Sequence, residues 1–269
     1  SDEIYTLKHF VLVPLAVTIG DYHVPNNHVF FSILLNVWTG FLDINTLHDL
    51  FVSPYLVRCW PLLFSVFSLY FVYRIGEYLT DRWLGVVVAS VLGFSLAFFE
   101  FGIQLRGYSL SIFLVSTMVL MSLKLMKQPT VWRMVGVVVL TALLGYTIPL
   151  NYYFLLGLFL ATIAKVGWNY CQVGREKKYS RMEHKGCALL AAALVAGVTL
   201  SLLLYLPILQ EVFVNQYVEA QGFDLVRTIK ALYLVSGGFL SRRMGILVIA
   251  IIGICLALRE SKTTGEFSD

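Results

Sequence analysis

The sequence predicts an all-α integral membrane protein: a polytopic helical bundle with interfacial juxtamembrane helices in its first outer loop. Three observations lead there. Of the 269 residues, 58% are hydrophobic and only 13% charged, with a mean hydropathy of +0.78, which is outside the range of an ordinary soluble domain. Uncharged apolar runs recur at spanning length, since a helix needs roughly 17–25 such residues to cross about 30 Å of hydrocarbon. These runs also lack the polar–apolar alternation of barrel strands, so their backbone groups must be satisfied within helices.

Residues 1–55 read as the first outer loop. The stretch 4–19 is apolar but interrupted by Pro14, which predicts an interfacial segment. A polar cluster follows, Asp21-Tyr22-His23-Val24-Pro25-Asn26-Asn27-His28, and then the run 27–42 with Trp38. That run is short for a span, and counting it as one reverses the polarity of every later loop, so a helix lying in the outer interface is expected. Residues 56–258 read as a transmembrane bundle. The runs 83–99, 107–123, 134–164 and 186–209 carry no charge, 56–73 carries only Arg58, and 245–258 is shorter. At about 1.5 Å per residue, 134–164 is too long for one crossing. Pro149 and Asn151 sit in its middle, and a proline disfavours helix at the residue before it, so a hairpin of 132–147 and 152–168 is expected. The total is seven spans. Residues 259–269 form a polar tail.

Charge sets the expected orientation. With Ser1 outside and strict alternation, Lys8, Arg58, Arg106, Arg227, Lys230, Arg242 and Arg243 fall outside, while the remaining 13 of the 20 basic residues fall inside. That obeys the positive-inside rule, and the opposite parity exposes the 175–185 basic cluster outside. The expectation is a multi-pass cell-membrane protein with its polar N-terminal segment on the outer, periplasmic or lumenal, face. So short an outward N-terminus normally follows an earlier span, so the chain is expected to be a fragment lacking one. Four cysteines without CxxC spacing suggest neither disulfides nor a metal centre.

The polar residues at the outer face are the candidates for chemistry. Asp2-Glu3 supplies two adjacent carboxylates, suited to a general base with a helper or to a hard divalent cation; a solvated terminus is the plainer alternative. Asn27 is good N-cap chemistry for the helix that follows, and His28 beside it is suited to capping or to holding a phosphate or a metal. Arg106 lies between two apolar runs, placed to snorkel to headgroups or to grip a phosphate bidentately. Glu100 stands as its salt-bridge partner or as a site acid, and Tyr108 as an interfacial anchor. There is no phosphate-cradling glycine loop, no Ser-His-Asp order and no nucleic-acid fingerprint, which argues against nucleotide-powered chemistry and against a nucleic-acid partner.

These residues resemble motifs of the polyprenyl-phosphate-dependent membrane glycosyltransferases of the GT-C fold, in the branch of the protein O-mannosyltransferases and the lipid A aminoarabinose transferase. Asp2-Glu3 is similar to the family's Asp-Glu pair after the first span. Pro25-Asn26-Asn27-His28 is similar to the Asn-Asn-His-Pro-type motif, with Val29 in place of the usual proline, and Arg106-Gly107-Tyr108-Ser109-Leu110 to a third motif two spans on. The hairpin at Tyr146–Tyr153 also resembles theirs. Compared with the family, the first span and the C-terminal helices or domain are missing, which puts a complete acceptor site in doubt. The resemblance implies transfer of a sugar from a polyprenyl-phosphate carrier to a protein, lipid or glycan acceptor at the outer face. It implies Asp2 as base and Glu3 as the second catalytic residue, with Asn27, His28, Glu100, Arg106 and Tyr108 toward substrate. It implies no need of a nucleotide, and a divalent cation remains a candidate cofactor. A transporter or flippase, or a non-catalytic subunit of the same fold, is the competing reading, although a transporter favours ionisable residues at mid-bilayer and these runs have almost none.

Overall fold

Short polar side chains, those of Thr46, Asp81, Ser95 and Thr130, open four of the described helices. The computed structural model describes residues 2–24, 27–173, 181–209 and 211, and among these every regular element is helical. The N-terminal segment holds α1 (Asp2–Thr6), which runs into a π-helical turn at Leu7–Val11, then α2 (Leu15–Gly20), opened by Pro14. Next come α3 (Val29–Phe41) and α4 (Leu47–Val52), the latter fixed by a Thr46–Asp49 capping box. The bundle comprises α5 (Tyr55–Leu79), α6 (Arg82–Gly93), α7 (Leu96–Gly102), α8 (Tyr108–Lys127), α9 (Val131–Thr147), α10 (Asn151–Val173) and α11 (Arg181–Leu204). Asp81 caps α6 and Thr130 caps α9 through their side-chain oxygens.

The expected hairpin is present, with α9 ending at Thr147 and α10 starting at Asn151. Among the described residues, three helices are long and apolar enough to cross a membrane: α5, α8 and the 184–204 part of α11. A fourth is obtained only if α6 and α7 are taken as one span, and these are bent by 69°. The bend has no proline. The Ser95 hydroxyl donates to the Leu92 carbonyl at 2.8 Å and accepts the Phe98 N–H at 3.2 Å, so one side chain closes α6 and opens α7. α9 and the apolar part of α10 are shorter than a full span. The expected seventh span, 245–258, and the tail 259–269 lie outside the described residues.

Contacts between helix ends sort the charges. Arg74, Arg82, Lys124, Lys127, Arg133, Lys165 and Lys185 lie at one end, while α1, the α7–α8 connection and the α9–α10 turn meet at the other. The core joins Phe31 and Leu35 of α3 to Leu114 and Met118 of α8, Val137 and Leu144 of α9, and Leu190 and Leu194 of α11. The outward faces are apolar as well: Leu62 and Val66 of α5, Leu156 and Leu160 of α10, and Val195 of α11 are all exposed. Such a surface suits hydrocarbon rather than water.

In hydrocarbon, apolar burial gives helices little reason to associate, so close backbone approach and polar contacts carry the packing. Asn151 donates to Ser111 Oγ at 3.0 Å and to the Leu144 carbonyl at 2.8 Å, and the Tyr205 hydroxyl donates to the Gly145 carbonyl at 3.1 Å. Helices α5 and α6 touch backbone to backbone, since a Cβ on Gly76 would lie 2.6 Å from the Gly85 Cα. Gly76→Val is therefore expected to force the pair apart and destabilise the fold by about 1–3 kcal/mol. Thermal unfolding in detergent, with the exposed Gly157→Ala as control, measures it.

Candidate functional site

Between α7 and α8 the chain leaves helical geometry for residues 103–107, and its backbone groups there need partners from elsewhere. Three side chains supply them. Arg58 of α5 donates to the Ile103 carbonyl at 2.9 Å, Glu3 Oε1 accepts the Leu105 N–H at 2.9 Å, and His28 Nδ1 accepts the Gly107 N–H at 2.6 Å. The second oxygen of Glu3 is held by Arg58 Nη2 at 3.0 Å. Gly107 is required at this crossing because a Cβ there would fall 2.8 Å from Thr147 Cγ2 and 2.9 Å from His28 Cβ.

Arg106 is presented by the same loop. Its guanidinium pairs with Asp2 Oδ2 at 3.3 Å and lies 5.0 Å from the centre of the Tyr108 ring. Tyr108 in turn packs edge-on to His28 and to Phe101, each with ring centroids 4.9 Å apart. The two adjacent carboxylates are therefore unequal. The side chain of Asp2 is 67% exposed and that of Glu3 only 24%, so Glu3 is committed to the loop while Asp2 is open to an incoming molecule.

His28 is buried, which disfavours its charged form, and the Arg106 guanidinium beside it adds to the effect; together they push its pKa down to about 3. Because Nδ1 accepts from Gly107, the neutral ring carries its proton on Nε2. Asn27, also buried, donates its amide to the carbonyls of Thr18 at 3.1 Å and Asp21 at 2.9 Å. Its Oδ1 is buried with no hydrogen-bond partner among the described residues.

Asp2, Glu3, Arg106, His28 and Tyr108 thus meet at one end of the bundle, with Asn27 behind them. Two expectations are corrected. Asn27 does not cap α3; His28 occupies the N-cap position without a capping bond, and the Asn27 side chain is turned to the α2–α3 connection. Glu100 is not the partner of Arg106: it is exposed on α7 and forms no ion pair among the described residues, since Asp2 takes that place from 104 positions away in sequence.

Sequence reasoning missed two features. Arg58 is one, although a lone charge in an otherwise apolar run was its visible signal. The other is a hydrogen-bonded chain beside α1. Asp21 Oδ1 accepts the His23 backbone N–H at 3.0 Å and contacts the ring Nδ1, while His23 Nε2 meets the Tyr5 hydroxyl at 2.7 Å. Tyr5 follows Asp2 by nearly one helical turn, so this chain fixes a hydroxyl on the face that carries Asp2. Among the described residues no three His, Cys, Asp or Glu side chains converge to hold a metal ion.

No protein-family model matches the chain, and no curated protein or solved structure does. Fold and site define an all-helical protein with helices of membrane-spanning length and an arginine–carboxylate cluster at one end of the bundle.

The burial of His28 has a measurable consequence. Its folded-state pKa lies below the ordinary 6.5, so below pH 6.5 the unfolded chain takes up a proton that the native chain refuses. Its contribution is therefore complete above pH 6.5 and is lost as pH falls toward 3, at up to about 1.4 kcal/mol per pH unit. His28→Asn keeps an acceptor for the Gly107 N–H without a titrating group. It is expected to flatten that part of the stability–pH curve, measured by thermal unfolding between pH 3 and 8.

Proposed function

We propose that this protein is an integral membrane glycosyltransferase of the GT-C type, which moves a sugar from a polyprenyl-phosphate carrier to an acceptor hydroxyl or amine at the outer face. The observation that carries the reading is the Asp2–Arg106 pair: an exposed carboxylate held by a guanidinium at one end of an apolar helical bundle. The clustering of basic residues at the opposite end supports an outward-facing site.

The chemistry follows from the charges. The carrier's isoprenoid tail lies along the apolar outer surface, and its phosphate takes the Arg106 guanidinium, for which a bidentate grip is suited. That exchange releases Asp2 from its ion pair. Asp2 then removes the proton of the acceptor while the acceptor oxygen or nitrogen attacks the anomeric carbon. The sugar–phosphate bond breaks on the opposite side, polyprenyl phosphate departs with the bonding electrons, and the configuration inverts. Glu3, tied to Arg58 and the Leu105 N–H, acts by holding the Arg106 loop in place. His28 and Tyr108 keep Arg106 oriented from below, and Asn27 braces the connection that leads to His28.

The test is transfer of labelled sugar from a panel of polyprenyl-phosphate sugars in membranes that contain the full-length protein. Asp2→Asn is expected to lower turnover by about 10²–10⁴-fold. Arg106→Ala is expected to weaken donor use, with Arg106→Lys recovering only part of it because a point charge does not replace a bidentate fork. Undiminished transfer in Asp2→Asn removes Asp2 as the base. Absence of transfer by the wild type from every donor, together with counterflow of a labelled solute, replaces the reading with transport.

A further inference from the structure

At the end of the bundle away from Asp2 and Arg106, helices α5, α8, α10 and α11 line a partly open cavity of about 160 Å³. It is lined by Tyr78, Leu79, Met126, Lys127, Lys165 and Cys187. The Lys127 ammonium lies 4.8 Å from the centre of the Tyr78 ring, and the Tyr78 hydroxyl donates to the Leu123 carbonyl at 3.4 Å. Neither Lys127 nor Lys165 forms an ion pair among the described residues. Two carboxylates at this end, Glu77 and Asp81, are engaged elsewhere. Glu77 pairs with Arg74 at 2.9 Å and accepts from the Tyr73 hydroxyl, and Asp81 caps α6.

A lysine in the last turn of a helix ordinarily complements the helix dipole, and Lys124 and Lys127 both have that role open to them on α8. The dipole does not account for a void between four helices with a second ammonium brought to its wall by α10. The membrane side of the cavity is apolar: Leu79 on its rim is 59% exposed, and Leu156, Leu160 and Ile163 continue along the exposed face of α10. A ligand that fits this place carries a negative charge at the helix ends and a hydrocarbon part that runs into the bilayer.

We infer that the cavity is a binding site for the phosphate of an anionic glycerophospholipid headgroup, with Lys127 and Lys165 as its cationic ligands and the acyl chains along α10. Basic pockets between membrane helices recognise such headgroups through this charge pairing. The site is independent of the sugar-transfer reading, and occupancy stabilises the bundle by tying α8 to α10.

The experiment is thermal unfolding of the full chain in neutral maltoside micelles, titrated with phosphatidylglycerol, phosphatidylcholine or inorganic phosphate. Phosphatidylglycerol is expected to raise Tm saturably, by about 5 °C, as a ligand of the folded state does. Phosphatidylcholine, whose own cation offsets its phosphate, is expected to do so far less. The gain should vanish in Lys127→Gln/Lys165→Gln and persist in Lys127→Arg/Lys165→Arg. It should also persist in Arg82→Gln/Lys185→Gln, which removes two charges outside the cavity lining. An unchanged lipid-free Tm shows that the variants fold. Equal gains with both lipids, or a gain retained in the double glutamine variant, overturn the site. Equal loss in Arg82→Gln/Lys185→Gln assigns the effect to a diffuse surface field and also overturns it. Inorganic phosphate reproducing the full gain overturns the lipid as the ligand.

Discussion

The site depends on the repair of one break in helical hydrogen bonding. Residues 103–107 leave α7 before α8 begins, and their backbone polar groups lose the partners a helix would give them. Arg58, Glu3 and His28 supply the missing partners from three separate stretches of sequence. Each bond also fixes the loop that carries Arg106, so satisfying the backbone and orienting the guanidinium are the same act. The close meeting of Gly107 with His28 and Thr147 adds a steric lock, because no side chain fits there.

This arrangement explains why two neighbouring acids differ. Successive residues on a helix point about 100° apart. On α1 that rotation turns Glu3 toward the loop and leaves Asp2 against Arg106, its one ion-pair partner among the described residues. A half-buried, doubly held carboxylate serves as a strut. The exposed one, paired with Arg106, is the more open of the two to an incoming molecule. His28 belongs with the struts, since burial keeps it neutral and its acceptor nitrogen is already in use.

Several elements were legible in the chain before its structure. The α9–α10 turn sits where Pro149 and Asn151 forbid a continuous helix, and Pro14 opens α2 after the π-helical turn. Local chemistry is sufficient for such boundaries. The α6–α7 bend was not legible, because Ser95 is an ordinary residue in a helix until its hydroxyl is seen to close one helix and open the next. Asn27 was misread for a related reason: good capping chemistry before an apolar run describes a preference, and the buried carbonyls of Thr18 and Asp21 made a stronger claim on its amide. Glu100 looked like the partner of Arg106 by proximity in sequence, whereas Asp2 reaches it through the fold.

The sequence by itself determined the helical class, the apolar lengths and the polar residues from which a site can be built, because hydropathy and helix-starting chemistry act over a few neighbouring residues. Only the tertiary structure decided which acid meets Arg106, which is spent on the loop, and that a histidine fills a backbone vacancy 79 positions away. Those choices are made by distant backbone groups that need hydrogen-bond partners outside their own helices, and no local pattern records where such groups will come to lie.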